Sequence, residues 1–280
     1  LNLFKSLKIN EINNENKTVD LDIIVEEKQT GTFSAGVAVG TLDGFSVIAG
    51  LNESNFGGTG RSIKTLINTS ENSKEFTLET EDRIAYEDNV DLSLLSKYTE
   101  DDFTNSSSYK LNTFKIGSGI TYDLAEKLRH RISFDYALKD YIITKRSTAA
   151  TQILESEGMN VSLRFNNVIN YNNLNSVYNP TDGNHINFFN SIESPTSSNN
   201  GYIKNIATFK QYKKNKKNIY SNQTRLGNIT SLSNNDILTD DKFSLGGRWL
   251  RGFDVYGAGP RNSQTSYVGG NNLIVTKFDY

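Results

Sequence analysis

The chain has 280 residues, a formal net charge of −2 and no cysteine. That balance gives no basic face for nucleic acid, and the missing thiols exclude thiol catalysis, disulfides and thiolate metal sites. Only 36% of residues are hydrophobic and mean hydropathy is −0.52, yet aromatics reach 11%, which disordered chains lack and strict apolar–polar alternation explains.

No run approaches the ~18 apolar residues of a membrane-spanning helix. The first residues, Leu1-Asn2-Leu3-Phe4-Lys5, carry no initiator Met and no signal-peptide pattern, so both ends read as cut ends of a longer chain. Residues 1–29 form one unit, a small α/β remnant. Ser6–Ile12 and Thr18–Glu27 are expected to pair across the turn Asn13-Asn14-Glu15-Asn16. Val19, Leu21, Ile23 and Val25 share one face of the second strand, the pattern of a half-buried soluble strand. Charge drops after Lys28, which sets a domain boundary.

From Gly31 onward the period is two. Phe33, Ala35, Val37 and Val39 alternate with Thr32, Ser34, Gly36 and Ala38. Phe45, Val47, Ala49 and Leu51 alternate with Ser46, Ile48, Gly50 and Asn52. Phe114, Ile116, Ile120, Tyr122 and Leu124 oppose Lys115, Gly117, Gly119, Thr121 and Asp123, and Ile132, Phe134, Tyr136 and Leu138 oppose Ser133, Asp135 and Ala137. Further strands are expected near 60–70, 74–82, 89–99, 160–170, 185–194, 202–212, 218–229 and 271–280, about twelve in all. After residue 200 the alternation weakens, because Ile203 and Ile206 fall on opposite faces.

Strands of roughly 9–11 residues with one apolar and one polar face are the pattern of a transmembrane antiparallel β-barrel. Lipid cannot satisfy backbone N–H and C=O groups, so the ladder must hide them while the lumen stays polar. A soluble β-sandwich or solenoid shows the same alternation; long strands and few turn prolines argue against it. Connections alternate in length as well. Glu53–Thr59, Glu126–Arg129, Asn179–Asn184 and Lys213–Lys217 are short, whereas those near 100–109, 143–159, 195–201 and 230–270 are long. Outer-membrane barrels have short periplasmic turns and long outer loops.

The longest of these loops holds Leu245-Gly246-Gly247-Arg248-Trp249-Leu250-Arg251-Gly252-Phe253, followed by Gly259-Pro260-Arg261. With the end of the first unit (Leu3–Leu7 to Val25–Lys28), the turn Ser54–Gly60 and the turn Tyr178–Gly183, this resembles the BamA family of outer-membrane assembly factors. That family lies in the superfamily joining periplasmic POTRA domains to a 16-stranded barrel. The family usually has Val where this chain has Leu250. The resemblance spans nearly all of the chain. It implies that residues 1–29 end the last POTRA domain, and that residues 30–280 are the first twelve of sixteen barrel strands with the sixth extracellular loop at 230–270. Twelve strands cannot close such a barrel, so an open curved sheet or a gapped barrel is expected.

The resemblance further implies that the loop folds back into the lumen and that Arg251 meets an acid on a following strand. Parity supplies a candidate. Ile274, Thr276, Phe278 and Tyr280 share one face of 271–280, and Lys277 and Asp279 the other. Gly246, Gly247, Leu250, Gly252, Phe253, Gly259 and Pro260 complete the lumen motif, and an Arg251–Asp279 ion pair is expected. The implied activity is insertion of β-barrel proteins into the bacterial outer membrane, without covalent chemistry. Strand Gly31–Gly40, with Gly31, Phe33, Gly36, Val37 and Gly40, is the expected lateral seam, since glycine weakens strands and a weakly paired edge takes up a client strand. Implied partners are unfolded outer-membrane β-barrel clients, the periplasmic lipoproteins of the BAM complex, outer-membrane lipids and lipopolysaccharide, with no cofactor. The alternative is secretion across the outer membrane by a related POTRA-barrel transporter.

Other constellations are weaker. Lys213, Lys214, Lys216 and Lys217 read as a solvated periplasmic turn. Asp101-Asp102 and Asp240-Asp241 read as outer-loop surface carboxylates. His130 and His185 lie too far apart to suggest a metal pair. Lys115–Gly119 is no nucleophile elbow and Gly57–Gly60 no phosphate loop, because both sit in strand contexts. No enzyme active site is suggested.

Overall fold

A computed structural model describes the chain except for residues 1, 2, 14, 15, 17, 41–43, 83–89, 197–200, 234, 235, 248, 255, 264 and 265. Arg248 of the loop motif and the middle of the Asn13–Asn16 turn lie outside the described residues. Two sheets are present. β1 (Phe4–Asn13) and β2 (Val19–Glu27) pair antiparallel, as the sequence pattern expects, from Phe4↔Glu27 to Asn13↔Val19. Their apolar side chains, Leu21 and Ile23 among them, are exposed instead of half-buried, because a two-stranded ribbon has no second layer over either face.

The second sheet is a twelve-stranded antiparallel meander in strict chain order. It runs β3 (Gly31–Gly40), β4 (Gly44–Glu53), β5 (Arg61–Thr69), β6 (Ser73–Asp82), β7 (Val90–Asp102), β8 (Tyr109–Ala125), β9 (Leu128–Ile143), β10 (Gly158–Asn172), β11 (Asp182–Glu193), β12 (Tyr202–Asn215), β13 (Asn218–Ser231) and β14 (Asn272–Asp279). Among the described residues no ladder joins β3 to β14, so both are edges. Among the described residues no helix is long and apolar enough to cross a membrane; the two α-helices, α1 (Thr104–Ser107) and α2 (Thr151–Glu155), are single turns in connections.

The outward rows are those of the sequence pattern. Phe33↔Leu51 and Val37↔Val47 pair on one face, and Phe33, Val37 and Val39 expose 71%, 71% and 84% of their surface. Such a contiguous apolar face suits a lipid surround, and the alternation is that of an outer-membrane barrel wall. One end carries tight connections at 126–127 and 216–217, with longer turns at 54–60 and 173–181. At the turn 54–60, the Asn55 side-chain carbonyl accepts from the Gly60 N–H at 2.7 Å. The opposite end carries 103–108, 144–157, 194–201 and the long loop 232–271, although 70–72 is tight there too.

Strand lengths depart from expectation. β8, β9 and β10 run 17, 16 and 15 residues instead of 9–11. β8 and β9 each gain five residues at the loop end, 109–113 and 139–143, where the loops pack on the inner face. There the apolar parity inverts: Tyr109 and Leu111 point inward while Lys110 and Asn112 point outward. The core sits here. Tyr109, Leu111, Tyr141, Ala149, Ala150, Ile153 and Leu238 form one buried cluster, and Tyr202, Ile229, Ile237, Phe243 and Leu273 another.

Candidate functional site

The long loop enters the lumen and is clamped by its own acids. Asp240 and Asp241, expected as surface carboxylates, are instead enclosed by β9, β10 and β12. Lys139 Nζ lies 2.8 Å from Asp240 and 3.0 Å from Asp241, and Arg164 Nη2 lies 2.6 Å from Asp241. The Tyr141 hydroxyl donates to Asp240 at 2.5 Å, and Tyr202 to Asp241 at 3.0 Å. Lys204 donates to the Asp241 backbone carbonyl at 2.5 Å, and Arg164 also pairs with buried Glu193. The surface position fails for a simple reason: inward rows of β9, β10 and β12 present cations that have too few acids on their own strands, and the loop supplies them. Burial alone would push the Asp241 carboxyl up. The Arg164 guanidinium and the Lys139 ammonium outweigh it and hold the carboxyl well below the ordinary carboxylate range. A cavity of about 430 Å³ beside this hub is lined by Lys115, Arg131, Arg164 and Lys204 and by Asp135 and both loop acids, so the loop acids offset most of the wall's cationic charge.

Beyond the acids, Phe243 closes on the wall. Its N–H donates to Gly270 O at 2.9 Å and its ring lies over Gly227, where an added Cβ would sit 2.6 Å from Cζ. The far limb of the loop returns through Tyr267, whose N–H donates to Ser106 O at 2.9 Å and whose hydroxyl donates to Phe243 O. Ser266 donates to Thr148 O at 2.5 Å.

The motif residues form the tip. Gly247 N–H donates to Phe253 O at 2.9 Å, and Phe253 N–H to Leu250 O at 3.3 Å. Gly252 has φ 88°, a conformation that strains any side chain, which is why glycine follows Arg251. Gly246 and Gly259 take φ 149° and 129°, Leu245 bridges Ala258, and Pro260 O accepts from Val268. The parity of β14 is as expected: Lys277 faces the lumen, with Nζ 5.0 Å from the Trp249 ring, and Arg225 of β13 sits 5.0 Å from that ring. Arg251 is exposed at the tip, and among the described residues no ion pair brings it to Asp279, which is also exposed. On β3, Phe33 and Val37 face outward, Gly36 faces the lumen, and Gly31 and Gly40 stand opposite Glu53 and Gly44.

Among the remaining candidates, Lys216 takes φ 55° in the two-residue turn after β12, and Lys213 pairs with Asp182 at 3.1 Å. His130 is held by Tyr122 and Asn167, and His185 by Asn170 at 2.8 Å, so both tie neighbouring strands. Among the described residues no group of acids and histidines has metal-site geometry. The clamp Lys139–Arg164–Asp240–Asp241 is the structural feature of the site that the sequence pattern does not announce. Its signal is the inward parity of Lys139 and Arg164 at the loop end of their strands.

Residues 55–280 match the Omp85 superfamily domain. The chain is 25% identical over 274 residues to the outer membrane protein assembly factor BamA of Nitratidesulfovibrio vulgaris, covering 94% of this chain and 33% of that protein. Its fold is similar to the crystal structure of BamA from Haemophilus ducreyi lacking POTRA domains 1–3, with TM-score 0.87 and 21% identity, over 99% of this chain and 58% of that one. CdiB from Acinetobacter baumannii is a more distant neighbour, with TM-score 0.55 and 10% identity over 90% of this chain and 48% of that one. The chain thus spans a third of the length of the curated relative and about half of the solved structures.

Proposed function

This chain belongs to the Omp85 superfamily, and we propose that it works in the assembly of β-barrel proteins in the bacterial outer membrane. Similarity to an assembly factor along 94% of the chain supports this. The observation that carries the mechanism is the clamped loop. With the lumen filled at the loop end by Asp240, Asp241 and Phe243, a client has no straight passage and leaves sideways through the wall. β3 is the proposed exit. It offers backbone N–H and C=O groups to an incoming strand, and outward Phe33 and Val37 let the hybrid sheet pass into lipid.

Residues 1–29 are proposed as the end of a periplasmic POTRA domain, through which clients and assembly lipoproteins of the BAM complex approach. Outer-membrane lipids and lipopolysaccharide surround the wall. The Arg251–Asp279 pair is proposed for a state in which the loop tip moves from Lys277 toward the turn end. Trp249 already lies over Lys277, two positions from Asp279 on the same face. A charge exchange, Arg251→Asp with Asp279→Arg, is expected to restore insertion that either change alone reduces.

The experiment is insertion of an unfolded barrel client into vesicles holding the full-length protein, with photo-crosslinkers at Phe33 and Val37. Client crosslinked to β3 and then heat-modifiable in the bilayer is the expected result. Client crosslinked only to the lumen loop and released across the bilayer would establish secretion instead.

A further inference from the structure

We propose that the lipid-facing side of the wall carries a specific site for one zwitterionic aminophospholipid. A groove of about 630 Å³ crosses the outward face from β5 to β10. A barrel wall that merely contacts bulk lipid needs no such concavity. Its floor is Ser118. The outward row of β8 reads Phe114, Ile116, Ser118, Ile120, Tyr122, and Ser118 is the one small residue there. The gap it leaves is walled by Leu94, Phe134 and Phe165.

The groove has a polar end and an apolar end. Arg61 opens β5 and Asp82 closes β6, both at the turn end of the barrel, and Arg61 Nε donates to Asp82 at 2.7 Å. From there the lining climbs away from the turns, to Phe165, seven residues before the end of β10 at Asn172. Five strand spacings of ~4.8 Å make the groove roughly 24 Å long. With strands tilted about 45°, it climbs roughly 17 Å, close to half of a hydrocarbon core of ~30 Å. One acyl chain of the turn-side leaflet fits that path, with its headgroup at Arg61 and Asp82.

The rim also selects the headgroup. A lone Arg61 would favour any anionic lipid. Paired with Asp82, it presents one cation and one anion side by side on the outward face, complementary to the phosphate and the ammonium of an ethanolamine headgroup; Glu81, also in the lining, has the opposite parity on β6. An anionic headgroup leaves Asp82 facing a like charge, and a choline headgroup gives it no N–H donor.

The inference rests on the lipid-facing assignment of the outward rows, not on assembly activity, so its test is binding alone. Full-length, heat-modifiable protein is equilibrated in mixed micelles holding equal phosphatidylethanolamine, phosphatidylglycerol and phosphatidylcholine, and retained lipid is counted by native mass spectrometry. One retained phosphatidylethanolamine is expected. Arg61→Gln should lower its retention about tenfold, the loss of one charged hydrogen bond. Ser118→Phe should abolish retention by filling the floor, and Ser96→Phe, outward on β7 and outside the groove, should leave it unchanged. Retention that ignores headgroup, prefers phosphatidylglycerol, or falls equally in Ser96→Phe overturns the proposal. If Ser118→Phe is not heat-modifiable, the headgroup order and Arg61→Gln decide.

Discussion

Two parts of the same sheet solve the problem of an inner face differently. Along β3–β6 the lumen side is mostly polar or bare: Ser34, Gly36, Ser46 and Gly50 face inward, with Ile48 and Leu66 as apolar exceptions, and the β4–β5 ladder runs only from Val47↔Thr69 to Glu53↔Ile63. Along β8–β14 the loop lies on the inner face, the β8–β9 ladder runs from Tyr109↔Ile143 to Ala125↔Leu128, and tyrosines, Ile229 and Leu273 turn inward to meet Leu238 and Phe243. The difference teaches that barrel alternation reports what fills the lumen. Where water fills it, inward residues are polar; where the chain's own loop fills it, they are apolar or oppositely charged. In the proposed mechanism, the filled wall resists opening and the unfilled one beside it, at β3, gives way.

The strongest way to break that contrast is to cut the clamp. Asp241→Asn removes the anion shared by Arg164 and Lys139 and leaves buried cations underpaired, which costs about 3–5 kcal/mol. Hydrogen exchange of residues 237–245 in the full-length protein should rise by about a hundredfold or more, while β3–β5 exchange stays unchanged. Protection of the loop retained in Asp241→Asn would show that packing alone holds it.

The same carboxyl sets an acid limit. Its folded-state pKa is depressed, so its contribution is complete above the unfolded value of about 4 and is lost as pH falls through the lower folded value. Loop protection, corrected for intrinsic exchange, should therefore be flat from pH 7 to pH 5 and decline only below about pH 4. Asp241→Asn should lack the decline. A drop already between pH 7 and 5 would point to a different titrating group.

A smaller effect is expected from packing. At Gly227 an added Cβ meets the Phe243 ring at 2.6 Å, so Gly227→Ala must displace Phe243 at about 1–3 kcal/mol. Exchange at Phe243 and Gly270, which bond each other reciprocally at 2.9 Å, is the readout.

These residues also show how far the sequence could be read. The rows Phe33–Val39, Phe45–Leu51, Phe114–Leu124 and Ile132–Leu138 stand where alternation places them, because lipid on one side and water on the other leave one solution per residue. Alternation of apolar residues reaches only Phe114 and Leu138, whereas β8 and β9 run on to Tyr109 and Ile143. Across Tyr109–Leu111 the apolar parity reverses, and a local pattern cannot know that Leu238 and Ile153 will cover it. Ile206, which breaks the alternation of β12, packs inward beside Phe243 for the same reason. The glycines of the loop motif were legible because φ is a local property. The partners of Asp240 and Asp241 were not, since they lie about a hundred residues away on β9 and nearly eighty away on β10, and only three-dimensional register brings them together.

The smallest change addresses the unfilled wall. Gly36 faces the lumen on β3, and an added Cβ would meet nothing within 4 Å. Alanine there restricts the unfolded chain and suits a strand, so Gly36→Ala should stabilise β3 by about 0.5–1 kcal/mol. In the proposed mechanism that gain resists opening, so client insertion by the full-length protein should slow by about two- to fivefold. Resistance to urea should rise slightly over the same comparison. The same substitution is thus expected to help folding at Gly36 and harm it at Gly227, because one wall is empty and the other is filled. Equal destabilisation at the two sites would mean that β3 is packed against something on its inner face, and the thin wall would lose its claim to be the gate.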